Sequence, residues 1–181
     1  MSRMLKRLLR TMRPGGSRRA AERPGEPVTA RSLAAVRALR DLRALSRISR
    51  YASEPLVRET AWDRLRRLVV GGDRGLELNE RVEVMRSLHD DALLAFAARR
   101  GREAELRLAA VQAVRGPRLL AEVVAEDADE RVAGAALARL VDPEILGALE
   151  RQLLHRDSDR AARVRRHRES VARAGGERAR G

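Results

Sequence analysis

Three histidines, His89, His155 and His167, carry the side chains best suited to proton transfer near neutral pH or to metal ligation. They fall on different segments. None has a His, Cys or Glu at helical ligand spacing such as His-Glu-x-x-His, so the pattern predicts no metal centre. Asp127-x-Asp129 begins like a calcium loop but lacks the later glycine and the bidentate glutamate, and reads as a turn and helix cap. Asp90-Asp91 reads the same way. The doublet Gly71-Gly72 lacks the Lys-Ser/Thr of a phosphate-cradling loop and follows no strand. There is no Gly-x-Ser-x-Gly elbow. No cysteine exists to hold a disulfide or a thiolate site. These readings exclude most enzyme classes. The expectation is a non-catalytic chain with no cofactor, no metal and no small-molecule substrate.

Arginine is the other chemistry-bearing residue. Of 39 cations only Lys6 is a lysine, and the net charge is +13. The excess is uneven: +11 over residues 1–50, −4 over 51–150 and +6 over 151–181. Near-exclusive arginine with abundant alanine and glycine is what a GC-rich genome writes. Its functional rival is phosphate recognition, for which the planar guanidinium fork is well suited. Arg160, Arg163, Arg165, Arg166 and Arg168, with Arg173, cluster on the last predicted helix and surround much of its circumference. Together with Arg18, Arg19 and the basic N-terminus they are the candidate anion-binding set, toward phosphates or an acidic protein. Few aromatics are present to stack bases (Trp62, Tyr51 and Phe96), so nucleic-acid contact there would be nonspecific and electrostatic.

The elements that must position these groups repeat. A shift of 26 carries Val84-Met85 onto Ala110-Val111 and Ala136-Leu137, Leu88 onto Val114 and Leu140, and Leu93-Leu94 onto Leu119-Leu120 and Ile145-Leu146. The turns Asp90-Asp91, Gly116-Pro117 and Asp142-Pro143 follow the same shift. A fixed period in this range marks stacked helix pairs. A shift of 75 extends the pattern upstream, taking Val36, Leu39, Leu45 and Ile48 onto Val111, Val114, Leu120 and Val123. Apolar residues every third position from Leu33 to Tyr51 cannot hold one face of a straight helix, so two short helices meeting near Asp41 are expected. With Leu, Val and Ala carrying the packing, interfaces should be thin, and the three aromatics are expected in the core.

Residues 1–13 read as a short basic amphipathic helix, with Met4, Leu5, Leu8, Leu9 and Met12 on one stripe. Its expected partners are the repeat body, another protein or an anionic membrane surface. Residues 14–29 form a Pro/Gly linker ending at Thr29, a candidate N-cap. The glycines of 70–79 should end the helix of Trp62 and mark a joint in the stack. Asp91, Asp142 and Asp157 are candidate caps, Pro117 and Pro143 fit first-turn positions, and Gly101 can close the helix of Phe96. The last pair is four residues longer than the period, which predicts one extra turn on the helix holding Gln152 to His155. The final helix should span roughly 159–174, followed by a disordered tail over 175–181. No apolar run approaches the ~20 residues of a membrane span, and a cytoplasmic location is the default.

Asp127-x-Asp129-x-x-Val132-x-x-x-Ala136-Leu137-x-x-Leu140, followed by Asp142-Pro143-x-x-Leu146, resembles the HEAT repeat in the short form of many bacterial proteins. Val57-Arg58-Glu59-Thr60-Ala61 and Leu106-Arg107-Leu108-Ala109-Ala110 echo its core. Ala133 departs from it, standing where arginine is usual. The resemblance covers residues 30–174. It implies an all-α chain, a short HEAT-like α-solenoid of about five helix pairs with one set of helices lining an inner surface. The function it implies is a scaffold holding another protein, with Arg58, Arg81, Arg107, Arg131 and Arg139 as inner-face candidates. DNA glycosylases and bilin lyases share such repeats, but the groups their chemistry needs are not evident here. The alternative is a nucleic-acid or ribosome-associated protein binding phosphates through its Arg-rich ends.

Overall fold

The computed structural model describes residues 30–71, 76–87 and 90–178; the amphipathic segment, the linker and Thr29 lie outside them. The described residues form ten helices and no strand: α1 (Ala30–Ala38), α2 (Leu42–Tyr51), α3 (Pro55–Val69), α4 (Leu78–Ser87), α5 (Asp91–Arg100), α6 (Ala104–Ala113), α7 (Pro117–Glu126), α8 (Glu130–Ala138), α9 (Pro143–Leu153) and α10 (Ser158–Arg178). The chain is all-α. No described helix is long and apolar enough to cross a membrane.

Local chemistry sets the boundaries. α1 and α2 separate at Asp41, whose carboxylate accepts from the Ala44 N–H at 3.0 Å, so the period-three stretch does split there. Asp142 caps α9 through the N–H groups of Glu144 and Ile145, and Asp157 accepts from Arg160 N–H at 2.9 Å. Such caps satisfy orphan donors of the first turn and are worth about 1 kcal/mol each. At α5 the cap is Asp90 and not Asp91: Asp90 is buried and accepts from Leu93 N–H, while Asp91 is already the first helical residue. Pro55, Pro117 and Pro143 occupy first-turn positions, where a missing N–H removes nothing. After Val69 the chain turns through Gly71 at φ 77°, a conformation in which a Cβ would be strained.

The lengths of the last two helices differ from expectation. The four extra residues of the last pair do not build a full turn of helix. α9 has 11 residues against 10 for α7, and the remainder forms the exposed turn Leu154–Arg156, closed by the Arg156 and Asp157 N–H groups on the Leu153 carbonyl. α10 runs through Gly175 and Gly176 to Arg178, beyond the expected end.

The chain divides into two compact units, Met1–Glu80 and Arg81–Gly181, with the break inside α4, just past the glycine run. In the first, α3 packs on both α1 and α2 around Val36, Leu45, Ile48, Leu65 and Leu68. In the second the helices form two layers. α6, α8 and α10 pack successively in one, α5, α7 and α9 in the other, and each pair is joined by a short turn. The period of 26 is the period of this core: Leu94, Leu120 and Leu146 are all buried, as are Ala110 and Ala136, and Val114 and Leu140. Each fully buried Leu or Val contributes about 1.5–3 kcal/mol. The aromatics are not in the core. Tyr51 is 65 % exposed, at the end of a stripe of period three that has drifted off the buried face of α2, and Trp62 and Phe96 are half-buried.

Candidate functional site

Arg58, Arg81 and Arg107 are each the fourth residue of their helices, α3, α4 and α6. From there the Arg58 and Arg107 guanidinium groups reach back to the preceding helix end, and that of Arg81 reaches forward to the start of α6. Arg58 donates to the Ala52 and Ser53 carbonyls at 2.7 and 2.9 Å. Arg107 donates to the equivalent pair, Gly101 and Arg102, at 3.1 and 3.2 Å. It also grips Asp127 bidentately at 2.7 and 2.8 Å, and Asp127 in turn accepts from Asp129 N–H. Arg81, only 5 % exposed, makes the same fork to Glu103 at 2.9 Å for both bonds. Cations suit the places reached by Arg58 and Arg107 because helix C-termini carry partial negative charge and unpaired carbonyls.

In α8 the fourth residue is Ala133. The missing arginine is supplied from the next copy: Arg160, buried on α10, donates to the Val124 and Ala125 carbonyls at the end of α7 and to Glu130 at 2.7 Å.

A second set links alternate helices of one layer. Arg64 on α3 donates to the Leu39 carbonyl beyond α1 at 3.0 Å. Arg139, after α8, donates to the Val114 carbonyl beyond α6 at 2.7 Å, and to those of Val111 and Gln112. His167 on α10 meets the Leu140 carbonyl beyond α8 at 2.8 Å. A carbonyl can only accept, so this contact selects the tautomer with hydrogen on Nε2. Leu39, Val114 and Leu140 are the same repeat position, so a polar contact recurs with the core.

The remaining candidates lie nearer solvent. Arg131 is exposed and pairs with Asp129 and, at 3.7 Å, with Glu105. Arg163 meets Glu130, while Arg168 and Arg165 approach Glu150 at 3.1 and 3.8 Å. Gly147 allows this, since a Cβ there would lie 3.2 Å from the Arg168 guanidinium. Arg166 is exposed. The structure therefore brings Arg160, Arg163 and Glu130 together, and Arg165 and Arg168 around Glu150; it distributes Arg58, Arg81, Arg107 and Arg139 among separate helix ends.

The electrostatics follow the pairing. The hydrogen-bonded Arg81 guanidinium lowers the Glu103 pKa, and Arg131 lowers that of Asp129. Asp127 raises Arg107 and Asp129 raises Arg131, so all four groups stay ionised near neutrality. Among the described residues no group of three or more His, Asp or Glu is placed to hold a metal ion. A shallow groove of about 570 Å³ opens between the ends of α5 and α7, spanned by the Arg99–Glu122 pair at 2.6 Å. On its lining Arg99 pairs with Glu122 and Arg107 with Asp127. Sequence reasoning missed Arg64 and the partners Glu103 and Asp127; the signals were the shift of 75 that carries Arg64 onto Arg139 and the acid that recurs before α6 and α8. Compared with protein families, with characterised proteins and with solved structures, the chain matches none.

Proposed function

We propose that the chain is a non-catalytic protein-interaction scaffold, a short HEAT-like α-solenoid that works in the cytoplasm by holding another protein. The observation supporting this is the recurrence of one polar contact, Arg64 to Leu39, Arg139 to Val114 and His167 to Leu140, at one repeat position. Arginines that a catalytic or ligand site would aim at a substrate are turned instead on backbone carbonyls and carboxylates, where they stiffen the frame. Short helices locked in this way present a pre-ordered surface, which reduces the entropy lost on binding. Arg131 and Arg166 then offer outward cations to an acidic partner, while Arg58, Arg81, Arg107 and Arg139 act through the frame.

The test is co-purification with the immobilised full chain. The expected result is one protein retained at equal stoichiometry, with retention weakened by Arg131→Glu and Arg166→Glu together. Turnover of a small molecule, or failure to retain any protein, would overturn the reading.

A further inference from the structure

Three arginines gather around one carboxylate where α9 and α10 pack together. From α10, Arg168 and Arg165 approach Glu150 at 3.1 and 3.8 Å. From α9, Arg151 joins them. A Cβ on Gly147 would lie 3.2 Å from Arg168 Nη1 and 3.6 Å from Arg151 Nη1. Both guanidinium groups therefore lie over Gly147, an approach that any side chain there would crowd. Glu150 sits at the back, its side chain 18 % exposed, with Arg165 at 55 % and Arg168 at 38 % in front of it. Arg151 is exposed, and no acid of the described residues pairs with it. The group holds three positive charges against one negative.

The repeat supplies an internal comparison. A shift of 26 carries Ala121, Val124, Ala125 and Ala128 onto Gly147, Glu150, Arg151 and Leu154. Positions that are small or apolar in α7 thus become two charges, a glycine and a leucine in α9. A polar cap on the last pair of a stack accounts for Val124 giving way to Glu150. It does not account for a surplus of two cations, nor for Leu154. That side chain stands one turn beyond Glu150 and Arg151 and is 53 % exposed. Its backbone is fixed: the Leu154 N–H donates to the Glu150 carbonyl at 3.0 Å, and the following turn closes on the Leu153 carbonyl. An ordered apolar group therefore flanks the cations.

We propose that Arg151, Arg165 and Arg168 form a binding site for a phosphate monoester carried on a partner protein, with Leu154 meeting a residue beside the phosphorylated side chain. The proposal rests on the reading of the chain as a protein-holding scaffold. A phosphate monoester carries a charge of about −1.5 to −2 at neutral pH, which matches the surplus, and its oxygens suit planar guanidinium forks. Glu150 already holds two of the forks, so less side-chain freedom is lost on binding. A nucleic-acid backbone is the poorer fit. Its phosphates carry one charge each and run in a row, whereas these guanidinium groups converge.

The experiment is isothermal titration calorimetry of the full chain at about 0.15 M salt, where diffuse attraction to the +13 charge is screened. The probes are a short alanine peptide carrying one leucine and one phosphoserine, its unphosphorylated twin, inorganic phosphate and oligouridine RNA. The phosphopeptide should bind, its twin should not, and inorganic phosphate should bind more weakly. Binding should strengthen as pH rises through about 6, where the second phosphate proton leaves. Arg151→Ala should weaken the phosphopeptide about 10-fold or more while leaving the urea midpoint unchanged, since Arg151 is exposed and holds no part of the fold. Leu154→Ser should weaken the phosphopeptide and leave inorganic phosphate unaffected. Arg131→Ala with Arg166→Ala should change neither. Equal losses from that pair and from Arg151→Ala would reveal a diffuse field and overturn the proposal. So would equal affinity for the unphosphorylated twin, or tighter binding of the RNA than of the phosphopeptide. A protein retained in the co-purification above, with no binding of the phosphopeptide, would sink this site and leave the scaffold reading standing.

Discussion

Arg107→Ala tests whether the inward-turned arginines hold the fold. Arg107 makes two charge-assisted bonds to Asp127 and two bonds to carbonyls at the end of α5. Its side chain is 16 % exposed and that of Asp127 is 5 % exposed. Removing one partner of a buried ion pair destabilises by about 3–5 kcal/mol, because the other charge is left without compensation. Asp127 keeps the Asp129 N–H, and the Arg102 carbonyl lies near solvent, so the lower end applies, about 3 kcal/mol. If the 181-residue chain unfolds as one transition, that lowers its midpoint by about 6–12 °C. Urea unfolding followed by circular dichroism gives the free energy, and a double-mutant cycle with Asp127→Ala gives the pair term, which should exceed about 1 kcal/mol. Arg131→Ala serves as the reference: the same residue type, exposed, with no measurable loss expected. A loss below about 1 kcal/mol for Arg107→Ala, or strict additivity with Asp127→Ala, would refute the reasoning.

Three further outcomes are expected. Arg81 holds the folded Glu103 pKa below its ordinary 4.5, so the pair contributes fully above that value and loses its contribution as pH falls through the lowered one; Glu103→Gln should flatten stability against pH below 4.5 and lower stability at pH 7. His167→Ala should cost about 1 kcal/mol in chemical denaturation through the lost Leu140 contact, and His167→Arg, which copies positions 64 and 139, should restore it. Gly101→Ala should destabilise by about 1–3 kcal/mol in the same assay although φ is −57°, because the added Cβ would stand 2.7 Å from the Ala97 carbonyl oxygen.

The helices and their stacking order were legible because burial repeats every 26 residues, and Leu94, Leu120 and Leu146 write that repeat directly into the sequence. The split at Asp41 was legible for the same reason: a period of three cannot follow one helix face. The site was less so. Whether an arginine faces a partner or a helix end depends on what lies within reach of its long side chain. Arg107 and Arg131 look alike in sequence; one lies against Asp127 and the end of α5, the other on the surface. The cap at Asp90 and not Asp91 was a choice of one residue in helical phase. Tyr51 was misplaced because a stripe of period three drifts around the helix, and by its last residue it has left the face that Leu42, Leu45 and Ile48 bury.

The contacts of Arg64, Arg139 and His167 all point backward along the chain, each to the end of a helix made earlier. During synthesis the amino-terminal part leaves the ribosome first. Every such helix end therefore emerges with its carbonyls open to water and is closed only when the following copy arrives. Assembly gains an arrow of time: the growing chain completes its own past, and the exposed edge at any moment is the newest one, next to the exit from which its closure will come.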